Sequence, residues 1–270
     1  AASKAQGGIN VDELKKKLKE LDRQKEEILL ENSYPKDYLK IHYHCDICKD
    51  TGFVKTQICR CRKKLIIEKK YSQSNISRLV QRENFRTFNA NLYSKNLYKD
   101  YPISPYENII RIQNDAKTYV ENFSKNYKNL YIFGDVGRGK TFLINSIAKE
   151  ILDRNYSVIY LTATKLFSFM NDYLYAFSER KEELKERYDL IFESDLLIID
   201  DLGSENDRNS NESNLFEIVN DRMINKKPII FSSNYSEDEL MEFYGDRIFS
   251  RIIGSSHVME IFGEDLRLLF

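Results

Sequence analysis

The octapeptide GDVGRGKT, residues 134–141, constrains this chain more than any other stretch. It satisfies the pattern G-x-x-x-x-G-K-[ST] at every fixed position, and its flanks supply the context the pattern requires. The run NLYIF before it reads as a short buried strand, and residues 142–152 after it carry apolar side chains at helical spacing. Strand, glycine-rich turn and helix N-terminus together aim backbone N–H groups and the positive end of a helix dipole at one point, which suits phosphate. In such a loop Lys140 is expected to reach the β- and γ-phosphates of a nucleotide, and the Thr141 hydroxyl to ligate Mg²⁺. The bland alternative is a glycine-rich turn that binds nothing.

A second element points from phosphate binding towards hydrolysis. Leu196-Leu197-Ile198-Ile199-Asp200-Asp201 is an unbroken apolar run ending in two acids, as in a strand buried in a parallel sheet. The carboxyl end of such a strand lies where open α/β sheets bind ligands. Asp200 is expected to hold Mg²⁺, and Asp201 to orient and deprotonate an attacking water. PIIFSSN, residues 228–234, is another buried strand and ends in Asn234. An amide there can hydrogen-bond the lytic water and the γ-phosphate, or it can cap the helix opening at Ser236-Glu237-Asp238-Glu239. Arg247 and Arg251 stand at i, i+4 on one helix. They suit charge on a transferring phosphoryl group, or an ordinary helix surface.

The remaining elements of this half follow from pattern. Ser104-Pro105 opens a helix that runs to about residue 123. Residues 157–161 form a strand and 164–175 a helix, with SERKEELKER as its continuation or as a separate helix. An amphipathic helix spans 214–225. Phe167, Phe169, Tyr173 and Tyr175 fit core packing better than stacking on bases.

The first seventy residues differ in character. They hold 17 Lys and Arg against 11 Asp and Glu, while the whole chain is balanced at 42 of each. A basic amino-terminal part suits an acidic partner surface or nucleic acid. Residues 11–32 read as a helix, with Asn10 and Glu13 as a capping box and Val11, Leu14, Leu18, Leu21 and Ile28 as an apolar stripe. The stripe fits a coiled-coil seam or a helix packed in its own small domain, and either needs a partner surface. Tyr34-Pro35 ends the helix. All four cysteines then fall within seventeen residues, as Cys45-x-x-Cys48 and Cys59-x-Cys61. With no membrane-length apolar run and no secretory signal, the chain is placed in the cytoplasm, where clustered thiols argue for metal over disulfides. Four thiolates complete a tetrahedral zinc, so the site is expected to be structural, with His42 or His44 as a possible substitute for one sulfur. Arg60, Arg62, Lys63 and Lys64 are by default a solvated face, the alternative being a docking surface. Residues 62–82 read as a helix fading into a polar connector. This gives a domain over 1–70, a linker over 71–82 and a second domain over 83–270.

In order and spacing, GDVGRGKT, LLIIDDLG, the helix LFEIVNDRM, the strand PIIFSSN and DRIFSRI resemble the AAA+ ATPases of the DnaC/DnaI helicase-loader group, over roughly residues 83–267. IstB-type transposition helper ATPases share much of this set. The CDICKDTGF…CRC element, however, is similar to the zinc-containing helicase-binding domain of bacterial loaders, which those helpers lack. The resemblance implies an α/β fold: an AAA+ P-loop three-layer parallel sheet preceded by a small helical zinc-binding domain. It implies ATP/ADP, Mg²⁺ and Zn²⁺ as cofactors. Lys140 and Thr141 become the Walker A pair, with nucleotide contacts from Gly134, Asp135, Val136, Gly137, Arg138 and Gly139 through to Phe142. Asp200 and Asp201 become Walker B, with Asp201 where many AAA+ proteins have Glu. Asn234 becomes sensor 1. Arg251 matches the arginine finger presented to a neighbouring subunit, with Arg247 as runner-up, and Arg267 in GEDLR matches sensor 2. Arg138 departs from the small or apolar residue common between the last two loop glycines, and its side chain is expected to point outward. Three residues follow Arg267, so any lid is expected to be minimal. The implied function is ATP-dependent loading of a hexameric replicative helicase onto single-stranded DNA at the initiation of replication, with self-association through the AAA+ domain. The alternatives are a transposition helper of the IstB type and a nucleotide-gated adaptor with little turnover.

Overall fold

Alternation along five short strands builds two cores back to back. In β3 (Asn129–Phe133), Leu130 and Ile132 join one buried cluster while Tyr131 joins the other. In β5 (Leu196–Leu202), Leu196 and Ile198 take the first side, Leu197 and Ile199 the second. A strand with both faces covered reads as continuous apolar sequence, which is how these runs look. The structure, a computed structural model, describes residues 11–70, 80–125, 127–205 and 208–269. The Asn10 cap and most of the 71–82 connector lie outside these residues. The chain divides into two compact units, one ending at Thr51 and one beginning at Gly52.

In the first unit, α1 (Val11–Glu31) closes on Ser33, whose φ of 63° lets Tyr34 N–H reach the Leu29 carbonyl at 2.8 Å. Leu14, Leu18, Leu21 and Ile28 are all exposed. The helix surface is held instead by short-range ion pairs such as Arg23–Glu20 at 2.9 Å and Lys25–Asp22 at 2.7 Å.

The second unit opens with a small antiparallel hairpin, β1 (Phe53–Val54) and β2 (Gln57–Ile58), and α2 (Arg60–Lys70) follows. Here the expectation of a solvated basic face needs correcting. Lys63 donates to the Glu193 carbonyl at 2.6 Å and Lys64 to the Leu152 carbonyl at 2.7 Å, while the Arg60 guanidinium lies 4.9 Å from the Tyr156 ring. Those carbonyls end two other helices, and the last carbonyls of a helix are unpaired and carry its negative end. The charges are therefore used on the fold itself.

The large sheet is wholly parallel, in the order β4 (Val158–Thr162), β5, β6 (Ile229–Ser233), β3, β7 (Ser256–Glu260). Around it stand α3 (Pro105–Asn122), α4 (Lys140–Asp153), α5 (Ala163–Tyr175), α6 (Ser178–Glu193), α7 (Arg208–Ile224) and α8 (Glu237–Gly254). SERKEELKER thus lies in a helix of its own. Capping boxes start α3, with Ser104 and Glu107, and α8, with Ser236 and Glu239. α8 is kinked at Gly245, whose φ is 74°. Phe167 is buried and Tyr173 stacks on Tyr188 at 4.0 Å, as core packing requires, while Tyr175 is exposed. The edge strand β7 was not anticipated.

Candidate nucleotide site

The loop after β3 can turn only because of its glycines. Gly134 has φ 142°, and a Cβ there would lie 2.0 Å from the Ile261 carbonyl oxygen beyond β7. At Gly137, φ 79°, a Cβ would lie 1.8 Å from the Asp265 carboxylate. The cradle is thus closed from behind by the carboxy-terminal segment: Leu266 N–H donates to the Gly137 carbonyl at 3.0 Å, just before the 3₁₀ turn Leu266–Leu269 completes. The Tyr93 hydroxyl donates to the Arg138 carbonyl at 2.8 Å. A cavity of ≈ 240 Å³ beside the loop is lined by Tyr93, Leu266, Asn91, Leu92, Ser94, Pro105 and Glu264. Phe142 packs edge-on against Phe88 at 5.3 Å, while Asp135 and Val136 are exposed.

Strand order explains what meets Lys140. Because β6 lies between β3 and β5, the residue ending β6 falls between the loop lysine and the acids. Lys140 Nζ donates to the carbonyls of Gly134 at 2.6 Å and Asp135 at 3.0 Å, and to Asn234 Oδ1 at 2.7 Å. The same amide turns its Nδ2 to Asp201 Oδ1 at 3.4 Å. Since Ser236 supplies the cap of α8, Asn234 is left to bridge the site. Burial pulls Lys140 below its ordinary lysine value, opposed by the charges of Asp201, Asp200 and Asp135, with Arg267 adding to the lowering. Arg267 is exposed, and its main-chain N–H is tied to Asp265 at 2.9 Å.

Asp200 is buried at the end of β5 and its carboxylate is fully engaged. Oδ1 accepts from the Ser232 hydroxyl and from Asp201 N–H at 3.1 Å. Oδ2 accepts from the Tyr160 hydroxyl and faces Thr141 Oγ1 at 3.5 Å. The pairing of β5 with β6 shifts register between Ile199 and Leu202, and Asp201 there adopts φ 61°, turning its side chain out. One acid is thus held in and the next exposed. Thr141 and Asp200 converge as hard oxygen ligands of an Mg²⁺ site would, and the glycine cradle leaves backbone where phosphates approach, so the donor set fits a nucleotide with its metal. Tyr160 and Ser232, on the strands either side of β5, were missed in the sequence; a tyrosine within an apolar strand carries no local signal.

A model of the bacterial DnaA ATPase domain matches residues 107–257, which include the loop, both acids, Asn234, Arg247 and Arg251. The chain belongs to the bacterial DnaA ATPase-domain family. Within this ATPase family it is 27% identical over 184 residues to the replicative helicase loader DnaC of Escherichia coli strain K12, covering 67% of this chain and 74% of that one. It is 28% identical over 133 residues to the loader DnaI of Bacillus subtilis, covering 47% of this chain and 41% of that one. AMPPCP-bound DnaA from Aquifex aeolicus superposes with TM-score 0.53 at 25% identity, over 67% of this chain and 50% of that one. The α/β fold with a five-stranded parallel sheet and the kinship to DnaC and DnaI are both found, as the motifs implied.

Within this family's frame the two arginines of α8 stand beyond the Gly245 kink. Arg247 lies 3.7 Å and Arg251 4.4 Å from the ring centroid of Phe216 on α7, and Arg251 also donates to the Arg247 carbonyl at 3.1 Å. Among the described residues neither hydrogen-bonds to the loop.

The cysteines come together as expected. The ligand atoms of Cys45, Cys48, Cys59 and Cys61 all lie within 4.8 Å of one another, and the histidines are not among them. His44 instead pairs with Asp50 at 3.5 Å. Asp50 also accepts from the main-chain N–H of His44 and Cys45, which hold its carboxyl below the usual range. Tetrahedral zinc–thiolate bonds of 2.3 Å imply sulfur separations of about 3.8 Å, so the cluster fits a zinc-binding region.

Proposed function

We propose that the chain is a cytoplasmic ATP-dependent loader that places a hexameric replicative helicase on single-stranded DNA during initiation of replication. The observation that carries this reading is the similarity to DnaC over 74% of that loader's length. The nucleotide site supports it. Lys140 and the loop N–H groups bind the phosphates, Asp201 takes the proton of the attacking water, and Asn234 holds lysine and acid in register. Thr141 and Asp200 would hold Mg²⁺, which would supply positive charge to the nucleotide phosphates. The ≈ 240 Å³ cavity beside the loop receives the nucleoside. Arg251, laid on Phe216, serves the site of the neighbouring subunit, so ATP binding and self-association support each other, and Arg267 contacts phosphate in its own subunit. Residues 1–70 carry a zinc in the four-cysteine cluster and dock on the helicase, and 83–270 form the ATPase domain.

Steady-state ATPase measured with and without single-stranded DNA and the organism's replicative helicase tests this. Turnover that rises with both, together with retention of the helicase by the purified chain, is the expected result. A flat, near-zero rate in every condition favours the nucleotide-gated adaptor.

A further inference from the structure

Arg138 does not behave as its position predicts. It stands between Gly137 and Gly139, φ 79° and 91°, and its side chain was expected to leave the loop for solvent. Instead the side chain is only 11% exposed, with its guanidinium 5.9 Å from the ring centroid of Tyr98. A guanidinium carries five N–H donors and no acceptor. Here one nitrogen reaches the exposed Asp135 carboxylate at 3.5 Å, the outer limit of a hydrogen bond, while Nε and Nη1 are buried with no acceptor among the described residues.

Arg222 shows how this fold treats an arginine buried for structure. Its two terminal nitrogens donate to Ile191 O at 2.6 Å, Phe192 O at 3.3 Å, Ser194 Oγ and O at 3.1 Å each, and Pro228 O at 2.9 Å. Among the described residues Arg222 leaves only Nε without an acceptor, whereas Arg138 leaves Nη1 unmet as well. Buried donors left unmet cost free energy, and a small residue would serve the turn equally well. Unmet donors on a side chain of the loop itself, two residues before Lys140 in the chain, match an anionic oxygen.

We infer that Arg138 is a cis-acting phosphate ligand that supplements Lys140 and sets nucleotide affinity in this chain. The inference rests on the nucleotide reading of the loop. Tyr98 steers the guanidinium plane, and Asp135 holds it until phosphate oxygens replace that long contact.

Arg138→Ala and Arg138→Lys test it through titration with a fluorescent ATP analogue, competition by inorganic tripolyphosphate, and melting of the nucleotide-free chain. Arg138→Ala should weaken the ATP analogue about tenfold or more and raise the inhibition constant of tripolyphosphate by a similar factor. Arg138→Lys, which keeps the charge, should recover most of that loss. The nucleotide-free melting temperature of Arg138→Ala should be unchanged or higher, because buried unmet donors are removed. Unchanged ATP affinity overturns the inference. So does a loss that spares tripolyphosphate, since Arg138 then reads base or ribose. A fall in melting temperature together with affinity also overturns it, by making the residue structural. If the unsubstituted chain binds no ATP analogue, the nucleotide reading itself fails, a separable outcome.

Discussion

Lys64 and Leu152 are joined by a 2.7 Å hydrogen bond from side-chain ammonium to main-chain carbonyl. Leu152 lies in the last turn of α4, whose first residue is Lys140, so the helix that follows the thiol cluster holds the far end of the loop's own helix. Lys63 does the same for α6 through the Glu193 carbonyl. A cation placed on helix-end carbonyls contributes about 0.3–1 kcal/mol, nearer ~2 kcal/mol when partly buried. Lys64→Ala should therefore lower the urea midpoint by the equivalent of about 1 kcal/mol, with Lys63→Ala similar. A double variant as stable as the parent would show that other contacts dock α2, such as Ile66 packed on the core and Arg60 on Tyr156.

Tyr160 holds Asp200, the acid proposed to bind the metal, from the neighbouring strand, through its hydroxyl on Oδ2. Burial, then the Asp200 charge, raises its phenol well above the ordinary value, so it remains a donor at any working pH. Groups that orient a metal ligand typically control metal affinity by about 10–100-fold. Tyr160→Phe should raise the Mg²⁺ concentration for half-maximal nucleotide binding by about tenfold and leave binding in chelator unchanged. Loss of affinity in chelator as well would mean that the substitution disturbs the sheet rather than the carboxylate.

What could be read in advance tracks how local the signal is. The loop, the acid-terminated strand and the cysteine pairs are contiguous, and each states its own chemistry. Asn234 was ambiguous between cap and sensor because only strand order places it between Lys140 and Asp201, and the Ser236 cap is a matter of geometry. β7 escaped because SHVME is short, has one buried side chain, Met259, and pairs along a single edge. Arg138 was expected outside because a long charged side chain ordinarily seeks water. It lies instead 5.9 Å from the ring of Tyr98, forty residues away in the chain. The basic run of α2 met helix-end carbonyls that no spacing rule reveals.

Glu205 gives a pH dependence with a definite sign. Its Oε2 accepts from Gly203 N–H at 2.9 Å, while Oε1 is buried with no hydrogen-bond partner among the described residues. Burial pushes its carboxyl above the ordinary 4.5, and the Asp201 charge adds to that. A raised folded-state value means that the protonated form is favoured on folding. That contribution is complete below 4.5 and is lost as pH rises through the folded value. Glu205→Gln keeps an acceptor for Gly203 and removes the charge. Its melting temperature should exceed the parent's at neutral pH, and the difference should close below 4.5. A difference independent of pH would place the effect elsewhere.

The thiol cluster should hold one zinc per chain, measurable by elemental analysis. Cys48→Ala should lose it, because three thiolates leave a position open. Thiolate ligands bind only when deprotonated, so zinc should also leave on acidification, with retention at low pH counting against an all-cysteine site. Metal-free protein from zinc-replete growth would remove the zinc reading while leaving the nucleotide site untouched.

Arg251 and Arg247 share the face of Phe216, at 4.4 and 3.7 Å, and Arg251 is further tied to the Arg247 carbonyl. The aromatic ring and that carbonyl hold Arg251 by contacts that do not use a phosphate, so its own subunit's loop need not bind it. Arg251→Ala should therefore leave ATP affinity intact, because the loop, Lys140 and Asn234 are untouched. A finger that stabilises the transferring phosphoryl group contributes about 10³-fold or more, so stimulated turnover should fall by that order. Mixing Arg251→Ala with Lys140→Ala chains separates the roles. If the arginine serves the next subunit, mixed assemblies should regain part of the activity that each variant lacks alone, since some interfaces combine an intact loop with an intact arginine. Absence of any recovery, with both variants folded and assembling, would confine Arg251 to its own chain, and normal turnover in Arg251→Ala beside loss in Arg247→Ala would transfer the role one helical turn back.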